Sequence, residues 1–255
     1  MPPPLLGVVT IGQAPRPDLV SVFSSAAPHA EVQVVGALDA LSNDAIAALA
    51  AEATSYPLLV RLTDGRTAEV GLHALHPLVT MRARELVAQG AYAVVVACAG
   101  DFPAVDAPAP VLLPGRIVPA VVRSLVRGPR IGVITPICAQ QSAAEAKWRR
   151  DGFDPVVTWA SPVMHDELIA AADLMHAEAP ELVVLDCMGH DEQVTAECAA
   201  RSGCAVVSAQ AITARVAGAL VPPSRVVPFK GSESLNELSV QGVRVLEERS
   251  RTPTP

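Results

Sequence analysis

Short apolar runs alternate along this chain with longer alanine-rich or amphipathic stretches. Residues 5–11 form an apolar run that stops at Gly12-Gln13-Ala14-Pro15-Arg16-Pro17, the pattern of a buried strand entering a turn and then a helix. Residues 31–38 read as a second strand, and Ser42-Asn43-Asp44 offers caps to the alanine-rich helix that follows. Asp64-Gly65 lies between two strand-like runs within residues 57–70. This predicts a hairpin with a type I′ turn, because both residues tolerate positive φ. A helix over 77–89 ends at Gly90, and 91–97 is a fully apolar strand stopping at Cys98. A further short strand over 111–113 precedes a helix over about 116–126.

Beyond this point the alternation is regular. Strands over 130–135, 156–159, 182–186 and 205–208 are each followed by a helix, over 139–150, 165–177, 192–200 and 212–220. Strand and helix in such order predict an α/β fold with mostly parallel sheets flanked by helices. Pro222-Pro223 closes the last of these helices. Residues 225–228 read as a short strand, 234–248 as a terminal helix and 251–255 as a frayed tail.

The chain repeats itself. Gly7-Val8-Val9-Thr10 matches Gly132-Val133-Ile134-Thr135, and Val94-Val95-Val96-Ala97-Cys98-Ala99-Gly100 matches Val183-Val184-Leu185-Asp186-Cys187-Met188-Gly189. Thr10 and Cys98 are 88 residues apart, whereas Thr135 and Cys187 are 52 apart, and the Asp64-Gly65 hairpin accounts for much of the excess. The expected fold is therefore two pseudo-repeated lobes with a cleft between them. The first takes residues 1–115 plus about 206–250, and the second about 116–205. Ligands of open α/β sheets bind beyond the carboxyl ends of the strands, where Thr10, Cys98, Thr135 and Cys187 all stand.

Composition narrows the field. The chain of 255 residues is 51% hydrophobic but only 3% aromatic, so its core must rely on small and β-branched side chains, which suit strands buried on both faces. A formal net charge of -7 and the lack of a basic cluster argue against nucleic acid. No apolar stretch is long enough to span a membrane, and Met1-Pro2-Pro3-Pro4 does not resemble a signal peptide, so a cytoplasmic location is expected. Five cysteines without framework spacing read as reduced thiols. Cys198 and Cys204 read as packing residues. Cys138 sits in the loop equivalent to Gln13, either packed or near the cleft. His73 and His76 lack a third ligand, so no metal is expected, and there is no nucleotide-binding glycine motif.

Two opposed thiols suit proton transfer at carbon, one removing a proton as thiolate and the other returning one as thiol. Cys187 is followed at once by a helix start, with Gly189, His190 and Asp191 at the turn, which would stabilise its thiolate. Cys98 is followed by Asp101 and Asp106, which would keep it protonated. Arg16 and Gln13 can hold a carboxylate, Arg16 through two parallel hydrogen bonds, or Arg16 can stand as a solvated charge. Thr10 and Thr135 can bind a carboxylate or simply cap, and Gly100 and Gly189 can admit a ligand to the backbone or only shape turns. Asp101 is grouped with these binding candidates, and His190 reads as an acid/base beside Cys187 or as a helix cap. Arg61, Asp64 and Arg66 lie on a hairpin that could cover the cleft or simply be exposed.

Several segments carry a family resemblance: Thr10-Ile11-Gly12-Gln13-Ala14-Pro15-Arg16-Pro17-Asp18, Leu62-Thr63-Asp64-Gly65, Leu113-Pro114-Gly115-Arg116-Ile117-Val118-Pro119, Lys147-Trp148 and Leu185-Asp186-Cys187-Met188-Gly189-His190. Over about residues 5–220 the chain resembles the AroM family, itself similar to the aspartate/glutamate racemase superfamily. The AroM name implies a regulatory association with aromatic biosynthesis. The wider superfamily implies racemases, isomerases or arylmalonate decarboxylases that use cleft cysteines and no pyridoxal phosphate. Ala99-Gly100 follow the first cysteine where such racemases carry asparagine and threonine. Met188-Gly189 precede His190 where the racemases carry threonine and histidine. These departures bear against aspartate or glutamate as substrate.

The expected activity is thus cofactor-independent racemisation or isomerisation of a small carboxylate by Cys98 and Cys187. The alternatives are a non-catalytic small-molecule sensor and an arylmalonate-decarboxylase-like enzyme. Apolar surface on a helix would support a homodimer.

Overall fold

The computed structural model describes residues 2–52 and 56–223. The expectations for residues 225–255 lie outside the described residues.

The chain runs β1 (Leu5–Thr10), α1 (Pro17–Ala26), β2 (Glu31–Gly36), α2 (Asn43–Ala51), β3 (Pro57–Arg61), β4 (Thr67–Gly71), α3 (Leu72–Ala88), β5 (Ala91–Ala97), β6 (Val111–Leu112) and α4 (Pro114–Leu125). It continues through β7 (Arg130–Thr135), a 3-10 turn (Cys138–Gln140), α5 (Gln141–Arg150), β8 (Asp154–Trp159), α6 (His165–Glu178), β9 (Leu182–Leu185), α7 (Glu192–Ser202), β10 (Ala205–Ser208) and α8 (Ala209–Leu220). Two four-stranded sheets result, in the orders β2-β1-β5-β6 and β10-β9-β7-β8, with every pairing parallel.

The two orders are the same order. β1, β2, β5 and β6 correspond to β7, β8, β9 and β10, as the sequence repeat predicts. Helix packing repeats too. A Cβ placed on Gly7 would stand 2.9 Å from Leu86 of α3, and one on the equivalent Gly132 would collide with Met175 of α6. The extra length of the first half is α2 plus the β3–β4 hairpin, inserted between β2 and α3.

Period-2 alternation divides each strand between two cores. Leu6 and Val8 of β1, Ala93 and Val95 of β5, Val133 of β7 and Val184 of β9 share one apolar cluster that spans both lobes, together with Phe23 and Trp148. Val9, Val94, Val96 and Cys98 face a second cluster with the hairpin and α3. Ile134, Val183 and Leu185 face a third, under α6. The largest fully buried side chain is Trp148, and valine, leucine and alanine fill most of the rest. Burying one leucine or valine contributes about 1.5–3 kcal/mol, so many small contacts hold this core together.

Ser42 caps α2 as expected, accepting from the Ala45 N–H at 3.2 Å. The hairpin turn is not type I′. Only Gly65 has positive φ, at +85°, and the Gly65 N–H bonds to the Leu62 carbonyl, so a type I-like turn is followed by a left-handed glycine. The longer loop from Leu62 to Arg66 leaves Asp64 free to accept from the Arg66 N–H and guanidinium. No described helix is long and apolar enough to cross a membrane.

Candidate active site between the two lobes

The carboxyl ends of β1, β5 and β9 open onto one cavity. Its polar end is lined by Thr10, Arg16, Cys98, Gly100, Cys187 and Gly189. Its apolar walls are Ile11, Leu58, Leu59, Pro136, Pro162, Val163 and Met188, and Arg61 and Thr67 of the hairpin complete one side. The cavity volume is about 90 Å³. One water needs roughly 10–15 Å³ measured in this way, so several ligand groups fit. The two thiols predicted to share a cleft therefore do so, each from the equivalent strand end of its own half.

Both sulfurs lie beside the N–H of the glycine two residues on. Gly189 N–H donates to Cys187 Sγ at 3.3 Å, and the Gly100 N–H acts on Cys98 in the same way. Burial nevertheless dominates. The Cys98 thiol is pushed up to about 12, with Cys187 and Asp186 adding to the rise and Lys147 opposing it. Cys187 is pushed up to about 11 by burial, opposed by the Gly189 N–H and by Arg16. The helix expected after Cys187 and its turn is present, but its start does not outweigh burial. α7 begins at Glu192, capped by Asp191 through the Val194 N–H, and a turn intervenes. The turn's own N–H groups, of Gly189 and Met188, oppose the rise of this thiol together with Arg16. The acid that acts on Cys98 is Asp186, and Asp101 points elsewhere: it pairs with Arg150 at 3.0 Å on the exposed side of its loop.

The other candidates separate. Arg16 is nearly buried, donating from Nε and Nη2 to Asp18 and from Nη1 to Thr10 Oγ1 at 3.3 Å. This fixes the guanidinium at the cavity with N–H donors left over for a ligand. Gln13 does not line the cavity. Its Oε1 accepts from Thr63 N–H at 3.1 Å and its Nε2 donates to the Leu38 carbonyl, so the amide fastens the hairpin to the β1 exit. Gly12 permits this docking, because a Cβ there would collide with the Arg61 carbonyl.

Thr135, the counterpart of Thr10, donates to the Ile137 carbonyl at 3.1 Å and is withdrawn from the cavity. His190 is 1% exposed and lies outside the cavity lining, and neither ring nitrogen has a hydrogen-bond partner. Burial pulls its pKa down to about 4, offset in part by the nearby Ala160 backbone and Asp191, so the ring is neutral at pH 7. Cys138 is exposed rather than packed, while Cys198 is buried.

One element of the site had no role assigned from the sequence. Lys147, on α5, donates to the Ala99 carbonyl at 3.0 Å and contacts both oxygens of Asp186 at 3.3 Å. Trp148 Nε1 donates to the same carboxylate at 3.0 Å. Gln140 makes a second bridge between the lobes, from Nε2 to the Pro57 carbonyl at 2.8 Å.

Solved structures share this two-lobed arrangement. An arylmalonate decarboxylase superposes with a TM-score of 0.58 at 16% identity, over 87% of this chain and 94% of that one. Glutamate racemase from Aquifex pyrophilus gives 0.54 at 16% identity, over 86% and 84% of the two chains. Allantoin racemase from Klebsiella pneumoniae gives 0.54 at 13%, over 86% and 87%. The fold is thus the racemase-like α/β fold of two parallel-sheet lobes. No curated protein matches the sequence. The family model described as AroM protein matches residues 6–221, and the chain belongs to the AroM family.

Proposed function

We propose that this protein moves a proton at the carbon next to the carboxylate of a small acid, without a cofactor, in a racemisation or isomerisation. The observation that carries this reading is that Cys98 and Cys187, from equivalent strand ends of the two half-repeats, line one small cavity beside Arg16. Arg16 and the backbone N–H groups of the glycine turns hold the carboxylate. Cys187, which has Arg16 and the Gly189 N–H to stabilise its anion, acts as thiolate base. Its sulfur takes the proton from carbon, and the electron pair left behind spreads onto the carboxylate. The Cys98 S–H then protonates the opposite face, leaving Cys98 as thiolate and Cys187 as thiol.

A second reading is a non-catalytic binding protein on the same scaffold. It is favoured by one observation: burial holds both thiols in the neutral form in the empty cleft.

Proton exchange separates the two. The protein is incubated in D2O with a panel of small carboxylic acids, and loss of the α C–H signal is followed by NMR for wild type, Cys98→Ala and Cys187→Ala. Exchange that depends on the thiols supports the enzyme. Saturable binding of an acid with no exchange overturns it in favour of the binding protein.

A further inference from the structure

The cavity has a charge pattern that selects among carboxylates. Its cations are Arg16 at the polar end and Arg61 on the hairpin. Among the described residues that line it, the one acidic side chain is Asp186. That carboxylate is 4% exposed and already accepts from Lys147 Nζ and Trp148 Nε1. The nearest other acid, Asp18, is held by Arg16 and does not line the cavity. The Ala99 carbonyl, next to Cys98, is occupied as well, accepting from Lys147. A ligand's positive charge brought into this space would lose water and find no free carboxylate, which is costly.

The walls supply the complement. Leu58 of the hairpin lies against Gly100 and Pro162 of the second lobe against Gly189, beside the two thiols, and Leu59, Val163, Ile11 and Met188 add to the apolar lining. Val163 is 55% exposed at the lip, so the apolar lining extends to the entrance. A substituent on the acid's α-carbon therefore meets hydrocarbon where an amino acid would need a carboxylate.

We propose that the ligand is a small carboxylate whose α-carbon carries an apolar group and no ammonium: a branched or aryl-substituted acid rather than an α-amino acid. This rests on the reading of the cleft as a carboxylate site and sharpens it.

Isosteric pairs test the assignment. 2,3-Dimethylbutanoate is valine with a methyl in place of the ammonium, and methylsuccinate stands in the same relation to aspartate. Calorimetric titration of the full chain should show 2,3-dimethylbutanoate binding at least ~10-fold more tightly than valine, with methylsuccinate ahead of aspartate. Arg16→Met should abolish binding of both members of each pair. Val163→Asp places an acceptor at the exposed lip without touching the core, and should narrow or reverse the preference. Valine or aspartate binding as tightly as its isostere, or no saturable binding of either isostere, overturns the proposal. The two readings fail separately: the preferred isostere binding without α C–H exchange removes the catalytic reading alone, and exchange confined to the amino acids removes this inference alone.

Discussion

Lys147 and Asp186 form a fully buried ion pair that ties together the chain segments carrying the two cysteines. Asp186 directly precedes Cys187, and the Lys147 ammonium also holds the carbonyl of Ala99, directly after Cys98. The ammonium lies 4.7 Å from the centre of the Trp148 ring, whose N–H donates to Asp186 in turn. One cation thereby sets the spacing of both thiol turns, and the pair is shielded from the screening that weakens surface bridges.

Removing one member should therefore cost more than removing both. Lys147→Met leaves Asp186 buried and unpaired and should lose about 3–5 kcal/mol in urea denaturation. Adding Asp186→Asn, which keeps an acceptor for Trp148, should restore part of that loss. A double variant no more stable than Lys147→Met would show that the pair does not act as a unit.

His190 makes acid stability testable. Its folded pKa is about 4 against an ordinary 6.5. The unfolded chain therefore takes up a proton first as pH falls. The contribution of the neutral ring is complete above about pH 6.5 and is lost progressively down to about pH 4. At about 1.4 kcal/mol per unit this comes to about 3 kcal/mol. Denaturant midpoints of His190→Phe, measured across that range, should lack this component. Wild type and variant curves that run parallel would refute it.

The thiols give a pH signature of the opposite sign. With Cys187 near 11 and Cys98 near 12, alkylation by iodoacetamide should be slow at pH 7. It should rise about tenfold per pH unit, without a plateau below pH 10, because only the thiolate reacts. Peptide-level mass spectrometry resolves the two sites. A plateau near neutral pH at either cysteine would mean that burial does not govern it.

If both thiols act in turnover, Cys98→Ala and Cys187→Ala should each reduce interconversion of enantiomers by roughly 10²–10⁴-fold. Each variant should still exchange the proton on the face served by the remaining cysteine. Equal retention of interconversion in both variants would remove the two-thiol scheme.

Gly12 controls the hairpin wall. In Gly12→Ala the new methyl meets the Arg61 carbonyl, which is backbone and cannot swing aside. The hairpin should lift, with faster amide hydrogen exchange at Thr63 and at least ~10-fold weaker binding of the carboxylate ligand. Unchanged exchange at Thr63 would show that the loop accommodates the methyl.

Much of this was legible in the residues. Runs such as 91–97 and 130–135 gave strands with the expected bounds, because continuous buried residues occupy all but one position of each. The repeated motifs around Thr10 and Thr135, and around Cys98 and Cys187, showed the duplication and hence the shared cleft. What misled was local analogy. The repeat equates Thr10 with Thr135, yet one faces the cavity and the other its own backbone. Gln13 was placed beside the ligand by chain proximity, but a loop from 50 residues away claims its amide. The order of the thiols, Cys98 held more firmly protonated than Cys187, agrees with the sequence reading, but its cause is burial with Asp186 and Lys147 rather than Asp101. A lone lysine on a helix away from both repeated motifs gives no periodic signal. The adjacent Lys147-Trp148, quoted only as a family segment, was the trace it left.

The hairpin is the one wall of the cavity that the duplication does not repeat. A cleft between two identical halves would offer a ligand the same surroundings after half a turn about the axis relating them. Leu58 of the hairpin lies against Gly100 in the Cys98 turn, and Pro162 lies against Gly189 in the Cys187 turn. This gives the cleft a left and a right. Turning a ligand over therefore exchanges the hairpin's surface for that of the Pro162-Val163 turn, so the insertion sets which way round a ligand lies.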